Sequence, residues 1–450
     1  MSRLFYNRNS TLNRLFRFFE CYFLDATLPT MENLFLLVVS MLALDCFHSV
    51  RFAWIHIISR FTNKSLNSFY YTLEHGRFDC HRWLLVTARH ALCAIPHQLR
   101  EWSVFLSIDD TMVEKYGLKF QAASRLFDHA AHNGSNYLNG HCFVSLMLHV
   151  PVWNAAGKAT YLSIPLGYRM WIKDKNVSKL ELAARMIRNV MPAFDASKQV
   201  ILLCDSWYPK GEIPGLTQEF PNLEIICNAR IDTALYDLPP ARTGKRGRPR
   251  KRGERLGLDS ISMAKPEGAD YFMGSRQVIT NLWKDQPVYA FVTAASLEDQ
   301  SSFRLFLCTI APEYIRFEPE KQSEEKIRRY SRWGMLPLGL YQLRWNIETS
   351  YYETKKFWSF SDYMVRSIRG IENLSNLVCI SYASARLLPY YEKYFEEYRG
   401  MSSQEVRFQL GEKIRMNLIV AGLEQMIENV KNNGPIKEAL KNYARMNGYS

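Results

Sequence analysis

Two apolar segments of this chain are each followed directly by aspartate, and this pattern constrains the fold more than any other feature. Residues 104–108 (VFLSI) precede Asp109-Asp110-Thr111, and residues 200–204 (VILLC) precede Asp205. Short continuous apolar runs are typical of strands that are covered on both faces of a sheet. Because side chains alternate between faces along a strand, Asp109 and Asp110 should point to opposite sides. We therefore expect an acidic site at the ends of buried strands, with one of these two aspartates beside Asp205.

Residues 340–355 (LYQLRWNIETSYYETK) are predicted to form a helix with two distinct faces. The polar positions follow the spacing Y-x2-R-x3-E-x6-K and share one stripe about 60° wide at 100° per residue. They are Tyr341, Arg344, Glu348 and Lys355. The apolar face, which should lie on a core, comprises Leu340, Leu343, Ile347 and Tyr351. The stripe suits a metal-bound acid beside a phosphodiester held by cations, and a solvated helix face is the alternative.

The composition favours a folded protein with a polyanionic partner. The chain has 450 residues, enough for two or three domains, and 47% of them are hydrophobic, which argues against disorder. The net charge is +13, from 57 Lys and Arg against 44 Asp and Glu, and it favours nucleic acid or an anionic membrane surface. The longest apolar run, residues 34–44, is too short to span a bilayer, and the first twenty residues do not form a secretory signal. We therefore expect no membrane partner and a cytoplasmic location.

Cysteine and histidine patterns do not predict a metal site. The nine cysteines have no CxxC pair and no zinc-finger spacing, so reduced thiols are expected rather than disulfides or structural zinc. All ten histidines lie between His48 and His149, and His129, His132 and His141 fall close together. No carboxylate or cysteine accompanies them at a recognised ligand spacing, so surface or core histidines are the preferred interpretation.

The periodicity of the chain predicts five regions. Residues 1–98 are helical, and two short helical patterns around residues 62–65, with Ser65 as the cap of a helix over 66–73, resemble a DNA-binding helix-turn-helix. The same pattern is common in any helical domain. Residues 99–230 alternate strands (142–150, 161–171, 223–227) with a helix over 177–191 and a hairpin turn at 154–157. This order predicts an α/β fold with a mixed sheet and packed helices.

Residues 231–330 are predicted to be a β-rich insertion, with strands at 277–281, 288–294 and 303–310. The core resumes over 331–398 with the helix that carries Glu348, and 399–450 form a helical tail that could mediate dimerisation. The insertion begins with a loop that has six cations and no acid within residues 244–253. These candidate DNA-binding residues are Lys245, Arg246, Arg248, Arg250, Lys251 and Arg252. The RGRP sequence of this loop is similar to motifs that insert arginine into the DNA minor groove. The alternative is a solvated linker.

Two strand aspartates and a helix glutamate are the oxygen ligands that a pair of Mg²⁺ ions requires. Magnesium takes one or two carboxylates and leaves positions for water and phosphate, and two such ions can catalyse an in-line displacement at phosphorus. Without metal, converging carboxylates repel one another, so a purely structural role would be unfavourable.

These features together resemble the DDE transposases of bacterial insertion sequences, in the subgroup that has the Y-R-E-K helix. The resemblance covers roughly residues 100–390 and rests on Asp109-Asp110, Asp205, the insertion and the helix with Glu348. It implies a ribonuclease-H-like core, Mg²⁺ (with Mn²⁺ able to substitute), and phosphate contacts from the residues that match Tyr341, Arg344 and Lys355. A D-x-T pattern favours Asp109 as the first metal ligand, whereas a D-T pattern favours Asp110, and Asp109 is preferred.

Three further residues are assigned with alternatives. Glu353 is a rival to Glu348, but it lies about 140° away on the helical wheel and off the cationic stripe. Trp283 could stack on an unpaired base at the transposon end, as an aromatic of the family's insertion does, or it could be a core residue. Trp345 is expected to pack behind the site.

The resemblance implies a transposase that cleaves the element's terminal inverted repeats and joins the free 3′-hydroxyl to target DNA. Double-stranded DNA would be its partner, a homodimer is expected in the synaptic complex, and the bacterial nucleoid would be its location. The alternatives are a metal-dependent nuclease or resolvase without strand transfer, and a catalytically silent DNA-binding relative. A basic membrane-surface protein is the least favoured interpretation, since no lipidation motif or basic amphipathic helix is evident.

Overall fold

The computed structural model describes residues 10–60, 62–117, 119–128, 136–173, 175–241, 250–284 and 286–446. The chain divides into two compact units. One contains residues 1–79, 355–381 and 401–450, and we call it the helical unit. The other contains residues 80–354 and 382–400, and we call it the sheet unit.

The helices and strands are numbered in chain order. The helices are α1 (Thr11–Phe19), α2 (Leu28–Ala43), α3 (Val50–His56), α4 (Leu66–His75), α5 (Trp83–Cys93), α6 (Lys179–Val190), α7 (Leu216–Glu219), α8 (Glu325–Arg332), α9 (Leu336–Tyr341), α10 (Trp345–Phe357), α11 (Ile368–Tyr391), α12 (Ser403–Asn432) and α13 (Gly434–Met446). The strands are β1 (Val104–Glu114), β2 (Ser124–Phe127), β3 (Tyr137–Trp153), β4 (Ala159–Trp171), β5 (Val200–Cys204), β6 (Leu223–Ala229), β7 (Leu235–Tyr236), β8 (Arg255–Leu256), β9 (Phe272–Thr280), β10 (Pro287–Ala294) and β11 (Arg304–Cys308).

The centre of the sheet unit is a mixed sheet with the strand order β4-β3-β1-β5-β6. Strands β3 and β4 pair antiparallel, as do β1 and β3, whereas β1–β5 and β5–β6 are parallel pairs. Helix α6 connects β4 to β5, as a crossover between strands of the same direction requires. This arrangement confirms the predicted ribonuclease-H-like α/β fold.

Strand β1 is longer than the sequence predicted. It was expected to end at Ile108, but it continues to Glu114, because β3 pairs with it from Phe105 through Glu114. Parallel pairing with β5, in contrast, stops at Ser107. The two aspartates therefore lie inside β1, just past the point where β5 ends, with Asp109 opposite Ser145 on β3.

The buried strands explain why the acids are held rigidly. Every residue of β5 is fully buried, and so are Phe105, Leu106 and Ile108 of β1, as expected for parallel strands that are covered on both faces. His149 of β3 is also buried, and its ring nitrogens lie 2.7 Å from the Ser107 hydroxyl and 2.8 Å from the Ser163 hydroxyl. Burial lowers the pKa of His149 to about 3, so this is a neutral core histidine.

The strands of the predicted insertion do not form a separate sheet. They extend the central sheet beyond β6 in the order β11-β10-β9-β7-β8, and each of these neighbouring pairs is antiparallel. Strand β11 pairs antiparallel with β6, with Leu305 opposite Ala229. At the other side of the sheet, the predicted β3–β4 turn is present. The Asn154 carboxamide accepts the N–H groups of Ala156 and Lys158 at 3.0 Å, and Gly157 has a positive φ of 70°.

The helical unit contains α1–α4, α12 and α13, and its described residues include no strand. Helix α2 is buried from Asn33 to Ala43, and the Asn33 carboxamide donates to the Thr72 hydroxyl of α4 at 2.8 Å. Helix α4 begins after Ser65 as predicted, although the Ser65 side chain forms no capping hydrogen bond. In the part of the chain that the structure describes, no helix is long and apolar enough to cross a membrane.

The central position of β5 generates a stability prediction. Replacing Leu202 by Ala should lower the free energy of unfolding by about 2–5 kcal/mol, because it leaves a cavity in a fully buried strand. The matched control is Leu297→Ala at a side chain that is 47% exposed, for which a change within about 0.5 kcal/mol is expected. Chemical denaturation followed by tryptophan fluorescence measures both. Equal losses for the two variants would contradict the proposed core.

Candidate active site

One guanidinium connects the first strand acid to the helix acid. Nη1 of Arg344 donates to Oδ2 of Asp109 at 3.0 Å, and Nη2 donates to Oε1 of Glu348 at 2.5 Å. The Arg344 side chain is 13% exposed and that of Asp109 is 18% exposed, so this ion pair is largely shielded from water, whereas Glu348 is 33% exposed. Asp109 and Glu348, which are 239 positions apart in the sequence (348 − 109), thus lie on either side of one cation.

The segment that carries Glu348, residues 340–355, is positioned by its apolar residues, as predicted. All four of these residues are buried: Leu340, Leu343, Ile347 and Tyr351. The Tyr351 hydroxyl lies 2.6 Å from the Ser145 hydroxyl of β3, opposite Asp109 on the sheet. This hydrogen bond fixes α10 against the strand pair that presents the aspartate.

The predicted single helix over residues 340–355 is interrupted, so that part of the prediction is wrong. Helix α9 ends at Tyr341, a 3₁₀ turn covers Gln342–Arg344, and α10 begins at Trp345. Tighter 3₁₀ turns are common where helices end, because they satisfy the terminal carbonyls. The positions of Tyr341 and Arg344 therefore depart from the regular 100° progression on which the stripe was based.

Asp205 follows β5 directly and completes a group of three acids. Its Oδ1 accepts the N–H of Trp207 at 3.0 Å, which fixes the start of the loop after the strand. The pKa of Asp109 is raised to about 7: burial is the main cause, Arg344 lowers it, and the neighbouring Asp205 and Asp110 carboxylates raise it. Asp205 is therefore close enough to Asp109 for the two charges to interact.

Asp110 has a different set of partners from Asp109. Nζ of Lys179, the first residue of α6, donates to Oδ2 of Asp110 at 2.6 Å, and the Tyr208 hydroxyl donates to Oδ1 at 3.2 Å. Both side chains of the ion pair are less than one-fifth exposed. The geometry favours Asp109 as the acid that faces Arg344 and Glu348, while Asp110 is neutralised by Lys179.

The other members of the predicted stripe have separate environments. The Tyr341 hydroxyl donates to the carbonyl oxygen of Cys204 at 3.3 Å, and its ring lies edge-on to Phe306 with the centroids 5.1 Å apart. Tyr341 therefore anchors α9 to the last residue of β5, next to Asp205. Lys355 lies in α10, seven residues after Glu348. The rival acid Glu353 accepts a hydrogen bond from the Tyr382 hydroxyl at 2.8 Å, which engages it away from the Arg344 cluster.

A cavity of about 670 Å³ opens beside the acids and contains residues for which the sequence predicted no role. Its walls include Asp110, Arg125, Phe127, Tyr137, Trp171, Lys179, Asp205, Trp207 and Tyr208. Trp207 is 40% exposed, with the ammonium groups of Lys210 and Lys179 at 4.7 and 5.8 Å from its ring centroid. Its place two residues after Asp205 was the only available sequence signal, whereas Lys179 comes from a distant helix and gave none.

The two tryptophans have different outcomes. Trp283 was considered either as a base-stacking residue or as a core residue, and the core alternative is confirmed, because Trp283 is 1% exposed in the 3₁₀ turn after β9. Trp345 was expected to pack behind the site, but it is 63% exposed. It lines a second cavity of about 460 Å³ together with Tyr341, Arg344 and Lys326. The helical wheel places Trp345 about 120° or more from the four apolar positions, so its exposure agrees with the wheel.

The basic loop is only partly described. Lys245, Arg246 and Arg248 lie outside the described residues. Arg250 and Lys251 are exposed, and the Arg252 guanidinium lies 4.0 Å from the Tyr236 ring centroid and donates to the Asn281 carboxamide at 2.6 Å.

The histidine group is also only partly described. His129 and His132 lie outside the described residues, whereas His141 is buried, with its Nε2 2.9 Å from the carbonyl oxygen of Gln121. His141 is thus a core histidine, which was the preferred interpretation.

Comparison with known proteins bears on the chemistry of this site. Residues 64–286 match the family described as DDE superfamily endonuclease. The matched segment contains Asp109, Asp110 and Asp205 and ends before Glu348. It supports the coarser part of the prediction, a nuclease of the DDE superfamily, while the bacterial insertion-sequence subgroup stays a prediction.

No curated protein matches the sequence. Among solved structures, the chain is similar to the piggyBac transposase in the cryo-EM structure of its synaptic complex with hairpin DNA. The identity is 12%, the TM-score is 0.45, and the alignment covers 98% of this chain and 86% of that chain.

The raised pKa of Asp109 generates a prediction for the metal-free protein. The folded state holds a proton on Asp109 up to about pH 7, whereas the unfolded chain releases it near its ordinary pKa of 3.8. The stabilisation that comes from this proton is therefore present below about pH 4 and is lost as the pH rises to about 7. Asp109→Asn should remove this component, so the difference in stability between variant and parent should grow in favour of the variant from pH 4 to pH 7.

Thermal unfolding in the presence of a chelator, at several pH values across this window, measures the difference. Groups remote from Asp109 titrate equally in both proteins and cancel in the comparison. Parallel curves for Asp109→Asn and the parent would show that Asp109 titrates as an ordinary exposed carboxyl.

Proposed function

We propose that this chain is a DDE transposase that cleaves DNA at the ends of an insertion sequence and joins the free 3′-hydroxyl to target DNA. The observation that carries the proposal is the bridge between Asp109 and Glu348 through the single guanidinium of Arg344, with Asp205 directly after the neighbouring strand β5. The match to DDE superfamily endonucleases supports it independently.

The donor set fits divalent metal ions. Asp109, Asp205 and Glu348 offer only hard oxygen ligands, which suit Mg²⁺ and also Mn²⁺. Burial is the main cause of the raised pKa of Asp109, and a bound cation would offset this cost by favouring the charged carboxylate. These three residues would hold the metal, and Mg²⁺ when bound supplies a Lewis acid that activates the attacking oxygen and stabilises the leaving one.

The cations of the chain have distinct roles in this proposal. Arg344 presents a planar fork that matches two oxygens of a phosphodiester, as it now matches two carboxylates. Lys179 neutralises Asp110 and so keeps a further negative charge from repelling the DNA backbone. Lys355 and the basic loop with Lys245, Arg246, Arg248, Arg250, Lys251 and Arg252 hold flanking phosphates. Tyr341 positions Arg344 through its hydrogen bond to Cys204.

The cavity beside Asp205 can hold a nucleotide of the end that is cut. Trp207 offers an exposed ring for base stacking, and Lys179 and Lys210 place positive charge near that ring. Trp283 does not serve this purpose in the proposal, because it is buried. The helices α3 and α4 would contribute to recognition of the terminal inverted repeat.

A homodimer in the synaptic complex forms part of the proposal. Helix α12 carries exposed apolar residues at alternating spacings of three and four, as in a coiled-coil seam. They are Met416, Ile419, Leu423, Met426 and Val430. A second copy of this helix would cover the stripe, in agreement with the expected dimerising role of the tail. The protein would act on the bacterial nucleoid.

Strand transfer separates this proposal from a nuclease or resolvase. Pre-cleaved DNA ends incubated with supercoiled plasmid and Mg²⁺ should give joined products with the parent protein. Glu348→Gln keeps the shape of the side chain but removes one negative charge, and Asp205→Ala removes a ligand, so both should abolish cleavage and joining while end binding changes little.

The matched control for these variants is Glu298→Gln, at an exposed acid of the β10–β11 connection. Cleavage without joining by the parent protein would favour the nuclease. Normal cleavage by Glu348→Gln would remove Glu348 from the site.

Arg344→Ala should weaken binding of DNA ends by about tenfold to a hundredfold, since a charged hydrogen bond contributes roughly 1.5–3 kcal/mol. A fluorescence-anisotropy titration at several salt concentrations measures this loss. The slope of log binding constant against log salt should become shallower by about one, as for the loss of one phosphate contact.

The matched control is Arg230→Ala, which removes an exposed arginine that is paired with Asp232 at 2.8 Å. If Arg344→Ala and Arg230→Ala bind ends equally well, Arg344 serves only to hold the acids together.

A further inference from the structure

Three potential metal ligands of different chemistry meet in the helical unit, apart from the DDE acids. Cys46 and His48 lie between α2 and α3, and Asp362 lies between α10 and α11. Sγ of Cys46 is 3.6 Å from Nδ1 of His48, and one ligand atom from each of Cys46, His48 and Asp362 lies within 4.8 Å of the other two. Cys46 is half-buried, whereas His48 and Asp362 are exposed to solvent, so an ion could enter.

The sulfur–nitrogen distance fits a shared tetrahedral ion. Zinc binds Cys sulfur at about 2.3 Å and His nitrogen at about 2.0–2.1 Å, and at a tetrahedral angle these bonds place the two atoms about 3.5–3.6 Å apart. The observed separation is 3.6 Å. A hydrogen bond between a thiol and a ring nitrogen would also allow this distance, but it gives no reason for a carboxylate to approach both atoms.

The surrounding contacts hold the three ligands together. The Ser359 hydroxyl accepts the backbone N–H of His48 at 3.3 Å and lies 3.6 Å from Sγ of Cys46. The buried guanidinium of Arg407 donates to the carbonyl oxygens of Leu44 and Phe357, so one side chain ties together the two segments that carry the ligands.

The backbone at this point is also unusual. His48 and Ser359 both adopt left-handed conformations, with φ of 49° and 58°, which are uncommon for residues other than glycine. Such conformations have an energetic cost and persist where surrounding contacts over-determine them, which occurs often at ligand sites. Two of them meet here, at residues that touch each other and flank the ligands.

We propose that Cys46, His48 and Asp362 bind one zinc ion or a similar borderline divalent cation, with water as the fourth ligand. A thiolate and an imidazole select zinc over magnesium, so this site would differ in metal from the all-oxygen acids of the sheet unit. Because its ligands come from segments more than 300 residues apart in the sequence, the bound ion would stabilise the fold of the helical unit. This inference does not depend on the proposed function.

Zinc affinity tests the site directly. The metal-free full chain is titrated with Zn²⁺ against a chromophoric chelator, in excess Mg²⁺ that saturates the acid site. We expect one tight site per chain, at least about a hundredfold weaker in Cys46→Ser and in Asp362→Asn, because loss of a ligand exceeds the effect of an outer-shell change. Cys93→Ser removes an exposed thiol elsewhere in the chain and is the control for loss of a thiol, and Asp205→Asn controls for zinc at the acids; neither should alter this affinity.

Cobalt substitution supplies a readout that a merely structural role would not change. Co²⁺ bound to the parent and to Cys93→Ser should show a thiolate-to-cobalt charge-transfer band, and this band should be absent in Cys46→Ser. Asp362→Asn replaces an exposed side chain, so it keeps the test valid if Cys46→Ser does not fold. The proposal is overturned if the parent binds no zinc in excess Mg²⁺, or if the affinity and the band persist in the Cys46 and Asp362 variants.

Discussion

The link from Asp109 through Arg344 to Glu348 is the interaction on which the rest of the site depends. Partly buried carboxylates are costly unless they are paired, and here one guanidinium with 13% exposure pairs two of them. The bridge joins the centre of the sheet to the start of α10. The apolar face of that helix and the Tyr351–Ser145 hydrogen bond then hold the same two elements together away from water.

Much of this arrangement could be predicted from the sequence, because it depends on local periodicity. Continuous apolar runs identified β1 and β5, and the positions directly after them identified Asp109, Asp110 and Asp205. The spacing of Leu340, Leu343 and Ile347 identified the buried face beside Glu348. These patterns involve residues that are close together in the sequence. Each pattern predicts which residues face a core, whichever element packs against them.

The features that the sequence did not predict depend on distant partners. Strand β1 extends through its aspartates because β3 supplies hydrogen bonds there, and Lys179 pairs with Asp110 across 69 positions. Trp345 is exposed although it was expected to pack behind the site, since burial of a single large side chain is decided by tertiary packing rather than by its own pattern. The contact of Arg344 with Asp109 rather than with Asp110 likewise depends on a partner 235 positions away in the sequence.

Arg344 binds two acids, Asp109 and Glu348, in the observed structure. In the proposed function it binds a DNA phosphate. The two roles are compatible if divalent metal replaces the guanidinium as the main counter-charge of Asp109 and Glu348. Metal binding would then free the Arg344 guanidinium to bind the phosphodiester. DNA bound to Arg344 would in turn raise the affinity of the acids for metal. Such a coupling is reciprocal by thermodynamic necessity. Under the proposed function, this coupling would favour the complete site when metal and DNA are both present, and it would matter because a chain with net charge +13 would meet nonspecific DNA far more often than specific ends.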